Sequence, residues 1–297
     1  MIISKKNEVY LTVKTDKGIA RELSDFFTFE VPGAKFMPQY RNRMWDGKIR
    51  LYSLQTGEIY FGLLPYIEEF AKRNEIEIEY EENVNGQQKL GDGELDIFVG
   101  RVSPQSKGKT LEIRDYQMDA FTHAVRTNRS LLLSPTASGK SLIIYLLAVW
   151  YAMKTEKNVL ILVPTTSLVE QMYTDFVDYG FKESMMQKIY QGYSKNITKP
   201  VTISTWQSIY KMPKKWFEQF GCVLGDEVHI FKSKSLTGIM NKMVNCKHRH
   251  GFTGTLDGTQ THRLVLEGLF GSVNKVTTSK ELMDAGTLAK LKVQCLV

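Results

Sequence analysis

Apolar and polar positions alternate along residues 8–14 (EVYLTVK), the period of a half-buried strand, whereas residues 17–29 space their apolar positions as a helix does. Leu51 and Tyr52 lead through Gln55, Thr56 and Gly57 to Ile59, Tyr60 and Phe61, which predicts a hairpin. A helix over 63–73 and an alternating strand over 75–80 (EIEIEY) complete a small α+β unit. Between 83 and 109 the pattern gives way to turn formers, among them Asn85-Gly86, Gly91-Asp92-Gly93 and Pro104, so a unit boundary is expected near residue 105. Beyond it the strands expected at 130–133, 159–163, 201–204, 222–224 and 250–252 are apolar without alternation, with helical stretches between them. Such strands are covered on both faces, so residues 106–297 are expected to form a parallel α/β sheet with crossover helices and a ligand site at the strands' carboxyl ends.

Composition agrees with two packed units: 297 residues are enough for two cores, and 42% hydrophobic with 24% charged residues is the balance of a globular chain. The net charge of +7 adds something the pattern does not, because it points to an anionic partner such as nucleic acid. The excess is uneven. Residues 1–105 carry 14 cations against 17 acids, and the remainder 25 against 15. Cys222, Cys246 and Cys295 have no paired spacing, which argues against a disulfide framework. The longest apolar run, Leu142 to Met153, is shorter than the roughly 20 residues that span a bilayer, and it is expected to be a buried helix. With no signal sequence in the first residues, a cytoplasmic protein without a membrane partner is expected.

The strand ending at Leu133 runs into Ser134-Pro-Thr136-Ala137-Ser138-Gly139-Lys140-Ser141 and then into the apolar helix. That order supplies what triphosphate binding needs: loop and helix N–H groups around the phosphates, Lys140 on the β and γ phosphates, and the Ser141 hydroxyl on Mg²⁺. Ser134 stands where the general P-loop pattern has glycine. Farther on, the strand Cys222-Val-Leu224 ends in Gly225-Asp226-Glu227-Val228-His229. Asp226 is placed to hold Mg²⁺, and Glu227 to deprotonate the attacking water. ATP and Mg²⁺ are therefore the expected ligands.

Two further clusters carry chemistry. Lys35, Arg41, Arg43, Lys48 and Arg50 surround Trp45 with Asp46 as the single acid, a DNA-contact candidate in an otherwise slightly acidic unit. The alternative for Trp45 is packing against Pro38 to fix the loop. Cys246, His248 and His250 alternate on one strand face, an arrangement that invites a zinc reading, but no fourth ligand is in view and no metal other than magnesium is expected.

The motifs in this order resemble the DExH group of superfamily 2 helicases, whose first motor domain is a RecA-like parallel-sheet P-loop ATPase. Asp226-Glu-Val-His229 resembles motif II, which makes His229 part of the catalytic set. Arg114-Asp-Tyr116-Gln117 is similar to the adenine-recognising Q motif, with Arg114 and Gln117 on the nucleotide. Phe252-Thr253-Gly254-Thr255 resembles motif III, which links hydrolysis to DNA movement. The segment Val163 to Val169 is similar to motif Ia, with Thr165 expected on a DNA phosphate, and Ser204 to Ser208 to a later strand-contacting motif carrying Thr205 and Gln207. Ser167 and Glu170 are equally readable as a capping box. Trp45-Asp46-Gly47-Lys48-Ile-Arg50 and Phe61-Gly62-Leu63 ahead of such a motor resemble phage UvsW-type helicases.

That resemblance implies a monomeric DNA motor of recombination and repair acting on branched or forked DNA, with RNA–DNA hybrids left open and the host cytoplasm as its place. It also implies a second RecA-like domain bearing arginine fingers. Only 42 residues follow Thr255, with Arg263 as their one arginine, so the chain by itself is expected to hydrolyse ATP slowly and not to unwind. A double-strand translocase that never separates strands, and a DNA-binding module without turnover, stay open as alternatives.

Overall fold

The computed structural model describes all residues except 82–83, 85–88, 92, 232, 257–259 and 290–297. The Asn85-Gly86 turn, Asp92, Lys232 and the tail with Cys295 lie outside the described residues.

The second part of the chain folds into a seven-stranded sheet in the order Met186–Ile189, Val201–Thr205, Asn158–Val163, Phe220–Gly225, His248–Thr253, Arg129–Leu133, Val273–Lys275. Every neighbouring pair is parallel. Its inner strands are covered on both faces and are mostly apolar, although Ser130, Thr202, Ser204, His248, Arg249 and His250 are buried within them. Val159, Ile161 and Val163 enter one cluster with Phe121 and Trp150, while Leu160 and Leu162 enter a second with Phe217 and Phe270. The apolar run is the helix Lys140–Lys154, buried from Leu142 through Tyr151. Two edge strands, Met186–Ile189 and Val273–Lys275, were not foreseen. An edge strand is covered less completely, and Gln187, Lys188, Asn274 and Lys275 break the apolar run that marks the inner ones.

In the first part Glu58–Tyr60, Tyr10–Lys14, Ile2–Lys5 and Glu79–Tyr80 form a four-stranded sheet in that order. Helices Lys17–Phe26 and Leu64–Arg73 supply Leu23, Ile67 and Phe70 to its core. The expected hairpin over 51–61 is reduced to one bridge, Tyr52 to Ile59, because Glu58–Tyr60 pairs instead with Tyr10–Thr12. Of the expected strand 75–80 only Glu79–Tyr80 finds a partner, Ile2–Ile3. A separate ribbon, Thr28–Glu30 against Lys48–Arg50, carries the excursion 31–47. Within the stretch read as linker a helix forms over Glu94–Val102, and its Leu95 and Phe98 join the core of the large sheet, Phe98 meeting Trp150 edge-on at 5.0 Å.

The two parts interlock. A Cβ on Gly62 would lie 2.0 Å from the Glu267 carbonyl oxygen, and one on Gly268 2.9 Å from Tyr60 Cβ, so the backbones meet where only glycine fits. Leu264, from helix Gln260–Phe270, completes the core of the small sheet. On the other side Arg129 donates to the Glu8 carbonyl at 2.7 Å and to its carboxylate at 2.8 Å, and Glu8 N–H donates to Val244 O at 3.0 Å. Among the described residues no helix is long and apolar enough to cross a membrane.

Candidate functional site

The carboxyl ends of the strands gather the sequence motifs on one edge of the large sheet. Leu133 pairs in register with Thr253, Leu162 with Gly225, and Val163 with Thr205. Ser134 N–H donates to Thr253 O at 2.8 Å, and Asp226 N–H to Leu162 O at 2.8 Å, so each chain leaving the sheet is held to its neighbour.

The loop before helix Lys140–Lys154 takes its shape from two left-handed residues, Ala137 (φ 66) and Gly139 (φ 80). Gly139 is favoured by its left-handed conformation, and a Cβ there would lie 2.3 Å from Gln117 Nε2 and displace that side chain. Ser138 is buried, its hydroxyl bonded to Ser134 Oγ at 2.6 Å and to Pro135 O at 2.7 Å, while Thr136 and Ala137 are exposed. Leu142 N–H donates to Gly139 O at 3.0 Å, which leaves the N–H groups of Lys140 and Ser141 at the start of the helix for an anion.

Lys140 is held by the two acids of motif II. Its ammonium donates to Glu227 Oε1 and lies 3.9 Å from Asp226 Oδ1. Burial pushes the Asp226 carboxyl up to about 6; Lys140 opposes the shift, and neighbouring Glu227 adds to it. Glu227 sits at φ 49, a conformation rare for a side-chain-bearing residue, and this turns its carboxylate toward both Lys140 and motif III. Its Oε2 accepts from Gly254 N at 3.4 Å. His229 Nδ1 lies 2.7 Å from Thr253 Oγ1, whose single hydrogen goes to Thr255 O at 2.6 Å; Nδ1 is therefore the donor. Motifs II and III are thus joined by a short polar chain from Glu227 through Gly254 and from His229 through Thr253.

Not every expected residue stands as the sequence suggested. The Ser141 hydroxyl interacts with Asp175, a carboxyl that burial holds above its usual range. Asp175 carried no sequence signal. Gln117 is buried, with Nε2 on Ser138 O at 2.8 Å and Oε1 accepting from Arg114 N at 3.1 Å, so it braces the phosphate loop from behind. Arg114 is exposed and donates to Tyr116 OH at 2.7 Å. Thr165 caps helix Thr166–Asp178 by accepting from Leu168 N, whereas Glu170 of the expected capping box bonds Lys188 and Tyr190 instead. Thr165 and Gln207 remain exposed on the sheet edge, with Gln207 Nε2 on Pro164 O at 3.1 Å. Thr205 is buried with its hydroxyl on Ser208, so its side chain is not presented at the surface.

Arg41, Arg43, Trp45 and Lys48 collect in the accessory excursion 31–47 and the strand that follows it, and no described hydrogen bond or ion pair joins them to the residues of the sheet edge. Arg41 and Arg43 are exposed. Trp45 is half-buried, but its indole N–H goes to Lys48 O at 2.9 Å, and Pro38 is exposed. His248 and His250 serve the core: His250 bonds Ser130 and Tyr151, and among the described residues no group of three His, Cys, Asp or Glu could hold a metal ion.

Chemically, the sheet edge offers one ammonium between two carboxylates beside a helix N-terminus. A polyphosphate can replace the carboxylates as the partner of Lys140, and a divalent cation can replace Lys140 as the partner of Asp226, so the residues fit a magnesium nucleotide.

Comparison with known proteins agrees in both parts of the chain. The family model for the res subunit of type III restriction enzymes matches residues 110–258, and that for the N-terminal part of the DNA helicase UvsW matches residues 4–81. The ATP-dependent DNA helicase uvsW of Enterobacteria phage T4 is 35% identical over 292 residues, 97% of this chain and 58% of that protein, so the chain spans little more than half the length of this relative. The DNA 3'-5' translocase XPB2 of Sulfurisphaera tokodaii is 29% identical over 182 residues, 61% of this chain and 36% of that protein. A crystal structure of the UvsW helicase from bacteriophage T4 superposes with a TM-score of 0.85 at 34% identity, covering 92% of this chain and 99% of that one. With a motif-bearing parallel sheet and an accessory sheet both matched in sequence and in fold, the chain belongs to the UvsW-type group of superfamily 2 helicases.

Proposed function

We propose that this chain binds ATP with Mg²⁺ at the sheet edge and couples hydrolysis to movement on DNA, remodelling branched or forked DNA in recombination and repair. The observation that carries this reading is the position of Lys140 between Asp226 and Glu227, with Glu227 and His229 bonded onward to motif III. Magnesium, when bound, neutralises charge between the β- and γ-phosphate oxygens. Asp226 and Ser141 would hold it, with Asp175 beside the Ser141 hydroxyl. Lys140 moves from the carboxylates to the phosphates, alongside the N–H groups of residues 136–141. Glu227, released from Lys140, accepts a proton from the attacking water. Arg114 lies on the nucleotide's base side, and Gln117 acts on the nucleotide through the Ser138 carbonyl.

In this reading residues 1–105 are an accessory DNA-binding unit and residues 106–297 the ATPase unit, with helix Glu94–Val102 packed on the latter. Arg41, Arg43 and Lys48 contact phosphates, as do Thr165 and Gln207 on the motor side. The protein acts as a monomer in the cytoplasm, that of the host cell for a phage-encoded chain. Phosphate release measured on single-stranded, duplex, forked and four-way DNA and on RNA–DNA hybrid tests the proposal. Lys140→Ala is expected to remove turnover without lowering the melting temperature, and unchanged turnover would sink the assignment.

A further inference from the structure

The excursion 31–47 is held by its own backbone. Val31 N–H donates to Gly47 O at 2.8 Å, Met44 N–H to Gln39 O at 2.9 Å, and short helical turns run over Ala34–Phe36 and Pro38–Arg41. Trp45, bonded to Lys48 O and half-buried, is one of the braces. The side chains this frame holds outward are unusual. Phe36 is 77% exposed and Met44 78%, the two most exposed large apolar side chains among the described residues. Lys35, Arg41 and Arg43 are also exposed, and among the described ion pairs none involves them; the one nearby acid, Asp46, is taken by Arg50. Lys35, Arg41, Arg43, Met44 and Trp45 line one open depression, and Phe36 follows Lys35 in the chain.

Two large apolar groups held in water by a fixed frame gain nothing from folding, so their placement calls for a partner. That partner must offer an apolar face edged with negative charge. Along an uninterrupted duplex the base faces are hidden in the stack, and only phosphates and groove edges are presented. Where a duplex arm ends or branches, one base-pair face lies open between two phosphate strands. We propose that Phe36 and Met44 form an apolar tip that stacks on the base pair exposed at a DNA branch point, with Lys35, Arg41 and Arg43 on the flanking phosphates. This rests on the DNA-motor reading above and specifies the structure that it recognises. The DNA contact that the sequence suggested for Trp45 passes to its neighbours, and Trp45 sets the frame that presents them.

The test uses the whole chain and two probes: a three-way DNA junction, and a closed circular duplex that has no ends. In the double variant Phe36→Ala, Met44→Ala, affinity for the junction is expected to fall about tenfold, within the range of base–aromatic stacking, with affinity for the circle unchanged. Phe36→Trp should keep junction binding. 2-Aminopurine at the branch point should change fluorescence with the parent chain and not with the double variant. Both positions are exposed, and an unchanged melting temperature confirms that the variants fold. Equal loss on both DNAs, or no loss on the junction, overturns the inference. It is also overturned if the double variant keeps junction binding but loses binding to vesicles of anionic lipid. A parent chain that binds neither DNA overturns both the inference and the reading on which it rests.

Discussion

The loop before helix Lys140–Lys154 and the accessory excursion both carry cations that the proposed function assigns to phosphate, yet they hold them in opposite ways. Lys140 is largely buried and already engaged with Glu227 and Asp226, whereas Arg41 and Arg43 stand in water. A ligand at the first site must exchange partners inside a protected, prearranged cluster, and position then decides the chemistry. A ligand at the second meets charges that salt screens over roughly 10 Å, so attraction there is long in reach and shallow in depth. In the proposed function that difference separates a site for reaction from a surface for capture.

The largest expected effect tests the first half of that contrast. Glu227→Gln should slow turnover by roughly 10²- to 10⁴-fold, the scale of one general base. ATP affinity, read by calorimetry, should not weaken, because a neutral amide at this position competes less for Lys140 than the carboxylate does. Loss of nucleotide binding would show instead that Glu227 holds the site together. Next in size, replacing Arg41, Arg43 and Lys48 with Ala should lower the slope of log K against log salt by about 0.9 for each lost phosphate contact on duplex DNA. ATP affinity should stay put; an unchanged slope would remove the excursion from the DNA path. The smallest effect is expected within the sheet edge, where His229 meets Thr253. Thr253→Val takes away the acceptor of His229 Nδ1, and at about 1 kcal/mol for one net hydrogen bond should cut DNA-stimulated turnover roughly five- to tenfold. If basal and stimulated rates fell by the same factor, the Thr253 link would be structural rather than a coupling element.

What the sequence disclosed follows the same division. Strands buried on both faces favour apolar residues, so Val159 to Val163 and Cys222 to Leu224 were legible, and with them the motifs at their ends, although the buried strand His248–Thr253 carries His248, Arg249 and His250. Edge strands obey no such rule, and Met186–Ile189 passed unread. Helix Glu94–Val102 was obscured by the glycines before it, although Leu95, Phe98, Val99 and Val102 have helical spacing. Lys140, Asp226 and Glu227 were recognisable because their chemistry is tied to order along the chain. The bond from Ser141 to Asp175, the buried Thr205 and the inward-facing Gln117 were not, since each depends on which neighbour packing brings within reach. Trp45 drew notice as the large ring, while the exposure that matters belongs to Phe36 and Met44, and exposure is a property of the fold.

The close passage of Gly62 against Glu267 and Gly268 against Tyr60 also bears on how the molecule is born. The small sheet leaves the ribosome before the large one, yet Leu264, which seals its core, is polymerised about two hundred residues later, roughly 10–40 s at ordinary synthesis rates. Through that interval the face holding Tyr60 and Leu63 has nothing to close on. Made ahead of the large sheet, the accessory sheet is finished only with it, and its completion waits on helix Gln260–Phe270.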